Sequence, residues 1–261
     1  MNRERLRTAA QIRKNGNDSR KTIRELLSDV RPLNKAAADD IQREYGQISN
    51  LTIAGWKIAA TSLAGQKHIG VVRPIAGLVF EDQILAQGST VSLSGSVMKI
   101  AEAEFAFRMR RSLVRRNDPY ESAEVLDAIG DLLLAFEIPN SRYEEFSSAG
   151  ELQLIADRAC AAWLVLKKSD DPNSRDYDFA RHAVRTFPNG QLVGKGSGAD
   201  VLGSPLWAMT WLANELRELG IGLEAEQIVT TVACAPPVAV EAKGSATADF
   251  GSLGTVSVSF V

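Results

Sequence analysis

The segment Lys99-Ile100-Ala101-Glu102-Ala103-Glu104-Phe105-Ala106-Phe107, KIAEAEFAF, decides how this chain is read. In a strand, side chains alternate between faces. Ala101, Ala103, Phe105 and Phe107 then share one face, and Glu102, Glu104 and Ala106 share the other. In a helix, residues two apart diverge, and the two glutamates would have nothing to do with each other. The Phe-Ala-Phe alternation selects the strand. Its aromatic face turns inward to packing and its carboxylates stand side by side on the opposite face. A Glu-x-Glu pair is ordinarily a solvated face, so a further observation has to give it meaning.

Glu137 supplies one. In DLLLAFEI, residues 131–138, Leu133, Leu134, Ala135 and Phe136 run without alternation, as in a strand covered on both faces. A carboxylate ending such a strand needs a partner, because an isolated buried charge is very costly. Neighbouring strands lie about 4.8 Å apart and same-face residues along a strand about 6.7 Å, so Glu102, Glu104 and Glu137 come within reach of one ion if their strands adjoin. Three carboxylates without a cation repel and raise one another's pKa. A divalent cation removes that repulsion, and all-oxygen ligands select Mg²⁺ or Mn²⁺ over zinc.

Around this strand the chain is ordinary globular material. Its 261 residues are 45% hydrophobic and 24% charged, enough for a substantial core. Thirty basic against 32 acidic residues leave a net charge of −2, which gives no electrostatic case for nucleic acid or an anionic membrane. The basic run Arg108-Met109-Arg110-Arg111, with Arg115 and Arg116, reads as a solvated strand end; its functional reading is the steering of an anionic substrate. Two cysteines far apart, Cys160 and Cys234, imply no disulfide framework and fit a reducing cytoplasm, where the protein is expected to act. Two histidines, His68 and His182, make a His-based zinc site improbable. The charged N-terminus lacks the apolar stretch of a signal peptide, and no apolar run approaches the ~20 residues of a membrane span.

The expected organisation is an N-terminal helical region over residues 1–50 and a catalytic domain over 51–261. Helices are expected in RKTIRELLSDV (20–30) and ADDIQREYGQISNL (38–51) from their apolar spacing, and in Glu121 to Ile129 and Pro205 to Leu219. Strands are expected in GWKIAAT, GLVF, STVSLSGSVMKIAEAEFAF, DLLLAFEI and GTVSVSFV. Pro188-Asn189-Gly190 predicts a hairpin, because Asn-Gly suits a type I′ turn. The pattern describes one α+β fold.

Several motifs in order carry a family resemblance. Gly55-Trp56-Lys57-Ile58-Ala59-Ala60-Thr61-Ser62, then Gln66, Gly70-Val71, Pro74 and Gly77, resembles the signature of the 2-keto-4-pentenoate hydratase and 4-oxalocrotonate decarboxylase family, within the fumarylacetoacetate hydrolase superfamily. KIAEAEFAFRM is similar to that family's metal-ligand strand, and AFEIPNSRY to its Glu-Ile-x-x-Ser-Arg segment. PLWAMTWLANELRELGIGLEAEQIVTT and ADFGSLGTVSVSF resemble its C-terminal part. The resemblance implies a mixed β-sheet roll of the fumarylacetoacetate hydrolase C-terminal type with an N-terminal helical region. It further implies a metal held by Glu102, Glu104 and Glu137 that chelates the carboxylate and 2-oxo oxygen of a small 2-oxo acid. Lys57 matches the family's catalytic lysine, and Ser62, Gln66, Leu78 and Thr231 fall where substrate contacts are expected. A closed homo-oligomer, and association with a pathway partner, are implied by the resemblance alone.

The chain also departs from the family pattern. Ile75 stands where hydratases of this kind carry a proton-shuttling aspartate, and isoleucine moves no proton. Glu81, Asp82 and His68 are the nearest substitutes in sequence. Val232 replaces a glycine-bearing turn, where a β-branched residue disfavours φ > 0. Asn140 stands where an aspartate is common, and Cys234 reads as a small core residue. Three functions therefore stay open: a metal-dependent lyase of the hydratase or decarboxylase kind, a hydrolase of acylpyruvate C–C bonds, and a non-catalytic subunit that retains the fold.

Overall fold

The computed structural model describes residues 1–171 and 177–261. Two β-sheets packed face to face carry the fold. The larger sheet contains β1 (Ile53–Ala59), β2 (Ile75–Phe80), β3 (Ile84–Ala86), β5 (Ile100–Met109), β6 (Ile129–Ile138), β7 (Trp163–Lys168) and β10 (Ile228–Ala233), in the order β2-β1-β10-β5-β6-β7-β3; β11 (Val238–Ala239) pairs with the start of β5. The smaller runs β4-β13-β12-β8-β9, with β4 (Thr90–Val91), β8 (Ala183–Pro188), β9 (Gly194–Ser197), β12 (Ser245–Asp249) and β13 (Thr255–Phe260). Both sheets mix parallel and antiparallel pairs.

The expected alternation of β5 builds the core between them. Ala103, Phe105, Phe107 and Met109 are buried against Val184, Ala246, Ala248, Val256, Val258 and Phe260 of the smaller sheet. Phe105 meets Phe250 edge to face with ring centroids 5.2 Å apart. Asn189 and Gly190 take φ of 48° and 78° and Gln191 N–H donates to the Pro188 carbonyl, so the Asn-Gly turn closes the β8–β9 hairpin as expected.

The helices are α1 (Arg3–Asp18), α2 (Lys35–Ile48), α3 (Leu63–Ile69), α4 (Ser122–Ala128), α5 (Glu151–Ala156) and α6 (Pro205–Glu218). Those expected at 38–51, 121–129 and 205–219 form within a few residues of the reading. The helix expected over RKTIRELLSDV does not form. Ile23 instead bridges Tyr143, its N–H donating to the Arg142 carbonyl at 2.7 Å, and Leu26 N–H donates to Gln153 Oε1 at 2.8 Å. These tertiary hydrogen bonds hold the backbone extended despite its helical periodicity. Helix forms instead in the charged segment before it, where the Asn2 side chain caps Arg5 N–H. The long strand expected over 89–107 is broken: residues 92–99 are a loop between β4 and β5. Among the described residues no helix is long and apolar enough to cross a membrane.

Candidate metal centre and active-site cavity

Strand register assembles the site. Across β5 and β6, Glu102 stands directly opposite Glu137 and Glu104 opposite Ala135. On the other side of β5, Thr230 of β10 is level with Ala106, and Lys57 of β1 is level with Thr230. The same face of four adjoining strands thus presents Glu102, Glu104, Glu137, Thr230 and Lys57. Ligand oxygens of the three glutamates lie within 4.8 Å of one another. Glu104 and Glu137 are buried and Glu102 is half-buried.

The lysine is enclosed as deeply as the acids. Lys57 is 3% exposed; its Nζ pairs with Glu137 Oε1 at 2.8 Å and donates to the Ala159 carbonyl at 2.9 Å. That carbonyl is delivered by the turn Arg158–Cys160, whose residues take φ of 56°, 49° and 65°. Consecutive left-handed non-glycine residues are strained, and the surroundings hold them there. The turn crosses directly over Gly77 of β2, where an added Cβ would lie 1.9 Å from the Arg158 carbonyl oxygen. The Arg158 guanidinium donates to the Leu78 carbonyl at 3.2 Å and to Gln83 Oε1 at 2.7 Å. Just before the turn, Asp157 pairs with Arg13 of α1 at 2.6 Å and accepts from the Ser141 hydroxyl at 2.7 Å. The N-terminal helix thereby braces the turn that holds Lys57.

Electrostatics fits a cation. Burial pushes up all three carboxyls: Glu104 goes well above its ordinary value with the charges of Glu137 and Glu102 adding to burial, while in Glu102 burial outweighs the pull of Lys57. Glu137 is pushed up to about 7, again with burial outweighing Lys57. For Lys57 the balance is reversed. Burial works to lower its pKa, but Glu137, Glu102 and Glu104 together hold it above its usual value. Glu104 Oε1 and Glu137 Oε2 are buried without a hydrogen-bond partner among the described residues. Carboxylate oxygens of three glutamates within 4.8 Å of one another, some of them without a hydrogen-bond partner among the described residues, are a donor set that a hard divalent cation satisfies.

Two of the carboxylate's neighbours escaped the sequence reading. The Thr230 hydroxyl donates to Glu104 Oε2, and Val232 N–H donates to the same oxygen at 3.2 Å. Thr231, expected as a substrate contact, points the other way: it is fully buried and its hydroxyl donates to the Phe105 carbonyl at 2.9 Å. Reading the period-two register of β10 against β5 would have picked Thr230. Val232 adopts φ of 86° where β10 loses register with β5, between Thr230 and Ala233. A β-branched residue there is a strained outlier, and the strain accompanies the N–H that Glu104 uses.

A cavity of about 840 Å³ opens onto Lys57 and Glu102, with Thr61, Ser62 and His68 on its wall. Its apolar lining includes Ile69, Met98, Ile100, Phe146 and Val232. Ser62 also caps α3, accepting from Gly65 N–H at 3.0 Å, and the Thr61 hydroxyl is buried without a partner among the described residues. Gln66 lies beside the cavity, its side chain donating to the Ala60 carbonyl at 3.1 Å. Leu78 is fully buried in the main core, away from the lining. Ile75 is buried in a second apolar cluster, and Glu81 and Asp82 are exposed beyond the end of β2. Asn140 fixes the loop before β5, accepting from Val97 N–H at 2.9 Å.

The remaining charged and sulfur groups follow their ordinary readings. Arg110 and Arg111 pair with Asp127, and Arg116 pairs with Glu124. Both cysteines are free and buried; Cys234 donates to the Ala103 carbonyl at 3.0 Å, and burial pushes the Cys160 thiol up to about 12.

Over 255 residues, 97% of this chain and 95% of the relative, the sequence is 32% identical to a 2-keto-4-pentenoate hydratase of Paraburkholderia phymatum. The chain belongs to the 2-keto-4-pentenoate hydratase family. A 2-hydroxyhexa-2,4-dienoate hydratase of Comamonas testosteroni is 29% identical over 82% of this chain and 80% of its own length. A 4-oxalocrotonate decarboxylase of Pseudomonas putida G7, solved with magnesium and adipate, superposes with a TM-score of 0.91 at 26% identity, covering 100% of this chain and 99% of that one. Its complex with calcium and acetate superposes at 0.89. A divalent cation is therefore found in a structural relative with this fold. No protein-family model matches the chain.

Proposed function

We propose that this protein is a divalent-metal-dependent lyase that hydrates or decarboxylates a small 2-oxo or 2-hydroxy-alkenoic acid. The observation that carries the reading is the convergence of Glu102, Glu104 and Glu137 within 4.8 Å beside a buried lysine at the floor of a cavity. Hydro-lyases among its sequence relatives and a carboxy-lyase among its structural relatives bound the chemistry.

Glu102, Glu104 and Glu137 are the residues that hold the cation, Mg²⁺ or Mn²⁺. When bound, such a cation supplies a Lewis acid for the 2-oxo oxygen and the adjacent carboxylate. Thr230 and Val232 N–H aim the Glu104 carboxylate. Lys57 steadies Glu137 and brings a fixed positive charge to a site that must accept an anionic substrate. The apolar walls limit water around the reacting atoms.

Calorimetry with Mg²⁺ and with Mn²⁺, with and without oxalate as a 2-oxo acid mimic, tests the site on wild type and Glu104→Gln. Binding that tightens with oxalate and disappears in the variant is expected; a wild type that binds neither cation refutes the reading. Turnover of a panel of 2-hydroxydienoates and 2-oxo-enedioates, followed by product analysis for hydrated acid or CO₂, assigns the reaction.

A further inference from the structure

We propose that His68 is the residue that carries a proton to and from the carbon next to the substrate's 2-oxo group. The inference rests on the lyase reading above and names a residue that reading leaves unused.

It follows from the chemistry of the cavity wall. The side chains there with an exchangeable proton are Lys57, Thr61, Ser62, His68, Glu102, Cys160, Lys195 and Asp200. The Lys57 ammonium is committed to Glu137 and to the Ala159 carbonyl. Glu102 belongs to the carboxylate triad. Cys160 is buried, with its thiol pushed up to about 12. Hydroxyls are poor bases unless something activates them, and no side-chain base bonds to Ser62 or Thr61 among the described residues. Asp200 Oδ2 already accepts Ser197 N–H at 2.8 Å, and Lys195 sits on β9, at the edge of the smaller sheet. Imidazole is the side chain of this set with one ring nitrogen that can take a proton while the other carries one, the pattern of a general acid–base group.

Position agrees with this role. His68 lies on α3 at the cavity wall, its ring edge to face with Phe146, which also lines the cavity, with centroids 6.0 Å apart. The charged groups that line the same cavity are Glu102 from β5, Lys57 from β1, Lys195 from β9 and Asp200; the turn Phe146–Ser148 packed against α3 has no charged residue. His68 is exposed, so the ring is open to solvent as well as to the cavity.

In the step, neutral imidazole takes the C3 proton, the C3–H electron pair becomes the C2=C3 π bond, and the carbonyl π pair moves to O2. In reverse, the C2=C3 π pair of the enolate takes the imidazolium proton to form the C3–H bond, and a pair on O2 re-forms the carbonyl. No oxidant or further reactant is needed.

The test follows exchange of the C3 hydrogens of 2-oxobutanoate for deuterium by NMR, in D₂O with saturating Mg²⁺. His68→Asn is expected to slow exchange about a hundredfold or more, the scale of a lost acid–base group. Binding of Mg²⁺ with oxalate should change less than about twofold, and free imidazole should restore part of the rate to His68→Ala. Exchange at the wild-type rate in His68→Asn overturns the proposal. A wild type that fails to bind Mg²⁺ with oxalate overturns the lyase reading itself, and this one with it, by a signal separate from exchange.

Discussion

Replacing Lys57 by methionine removes the ammonium that pairs with Glu137 beside Glu102 and Glu104, while keeping most of the stem's volume. The side chains of Lys57 and Glu137 are 4% and 3% exposed and pair at 2.8 Å, so the ion pair is almost unscreened. Breaking such a pair from one side costs about 3–5 kcal/mol, because a charge is left buried without its partner. In a chain of this size that is a fall in Tm on the order of 10 °C. The cost must depend on pH. Folding raises the Glu137 carboxyl from 4.5 to about 7 even with the lysine present, and a raised carboxyl stabilises the native state only while it is protonated. The lost attraction is therefore felt in full above pH 7 and shrinks as the pH falls and Glu137 takes up a proton. Thermal unfolding of metal-free wild type and Lys57→Met at about pH 8 and about pH 5 should show the large difference at the higher value and about 1 kcal/mol or less at the lower. The same variant should bind Mg²⁺ more tightly, by about tenfold if roughly 1.4 kcal/mol of charge repulsion is relieved, while losing turnover. An equal loss of Tm at both pH values, or weaker Mg²⁺ binding, would refute this account of the lysine as the triad's counter-charge.

Thr230→Val removes the hydroxyl that aims Glu104 Oε2 and should weaken Mg²⁺ binding about 10–100-fold in calorimetry, with about 1–3 kcal/mol lost in denaturant unfolding. Arg13→Met leaves the buried Asp157, at the base of the Arg158–Cys160 turn, without its ion-pair partner and with only the Ser141 hydroxyl and Arg142 N–H as donors, so stability should fall by about 3–5 kcal/mol by urea titration and kcat should fall with it. Metal-free wild type should lose Tm as the pH rises from about 5 to about 8, because Glu102, Glu104 and Glu137 bind protons more tightly folded than unfolded. Saturating Mg²⁺ should give back more Tm at the higher pH, and calorimetry in two buffers should detect proton release on metal binding.

What could be read in the sequence was whatever the two-residue period of a strand fixes. KIAEAEFAF placed its phenylalanines in the core and its glutamates on the opposite face, and DLLLAFEI put Glu137 where register brings it opposite Glu102. The same rule, carried one strand further, separates Thr230, whose hydroxyl donates to Glu104, from Thr231, whose hydroxyl turns to the Phe105 carbonyl one step of the pleat away. Other features depend on contacts between segments far apart in the chain. Ile23 abandons its helix because Tyr143, more than a hundred residues away, offers its strand-like partner. The Ala159 carbonyl reaches Lys57 because three left-handed residues cross over Gly77, while Arg13 of α1 holds the adjoining Asp157. Val232 joins both kinds. Its residue type argued against φ > 0, yet the chain takes φ of 86° there. Its N–H reaches Glu104, and the carboxylates of Glu102 and Glu137 share that face. Local preference yields at Val232 because the alternative is a fully buried Glu104 carboxylate with one fewer donor, and a strained backbone of about 1–3 kcal/mol is comparable with the cost of that loss.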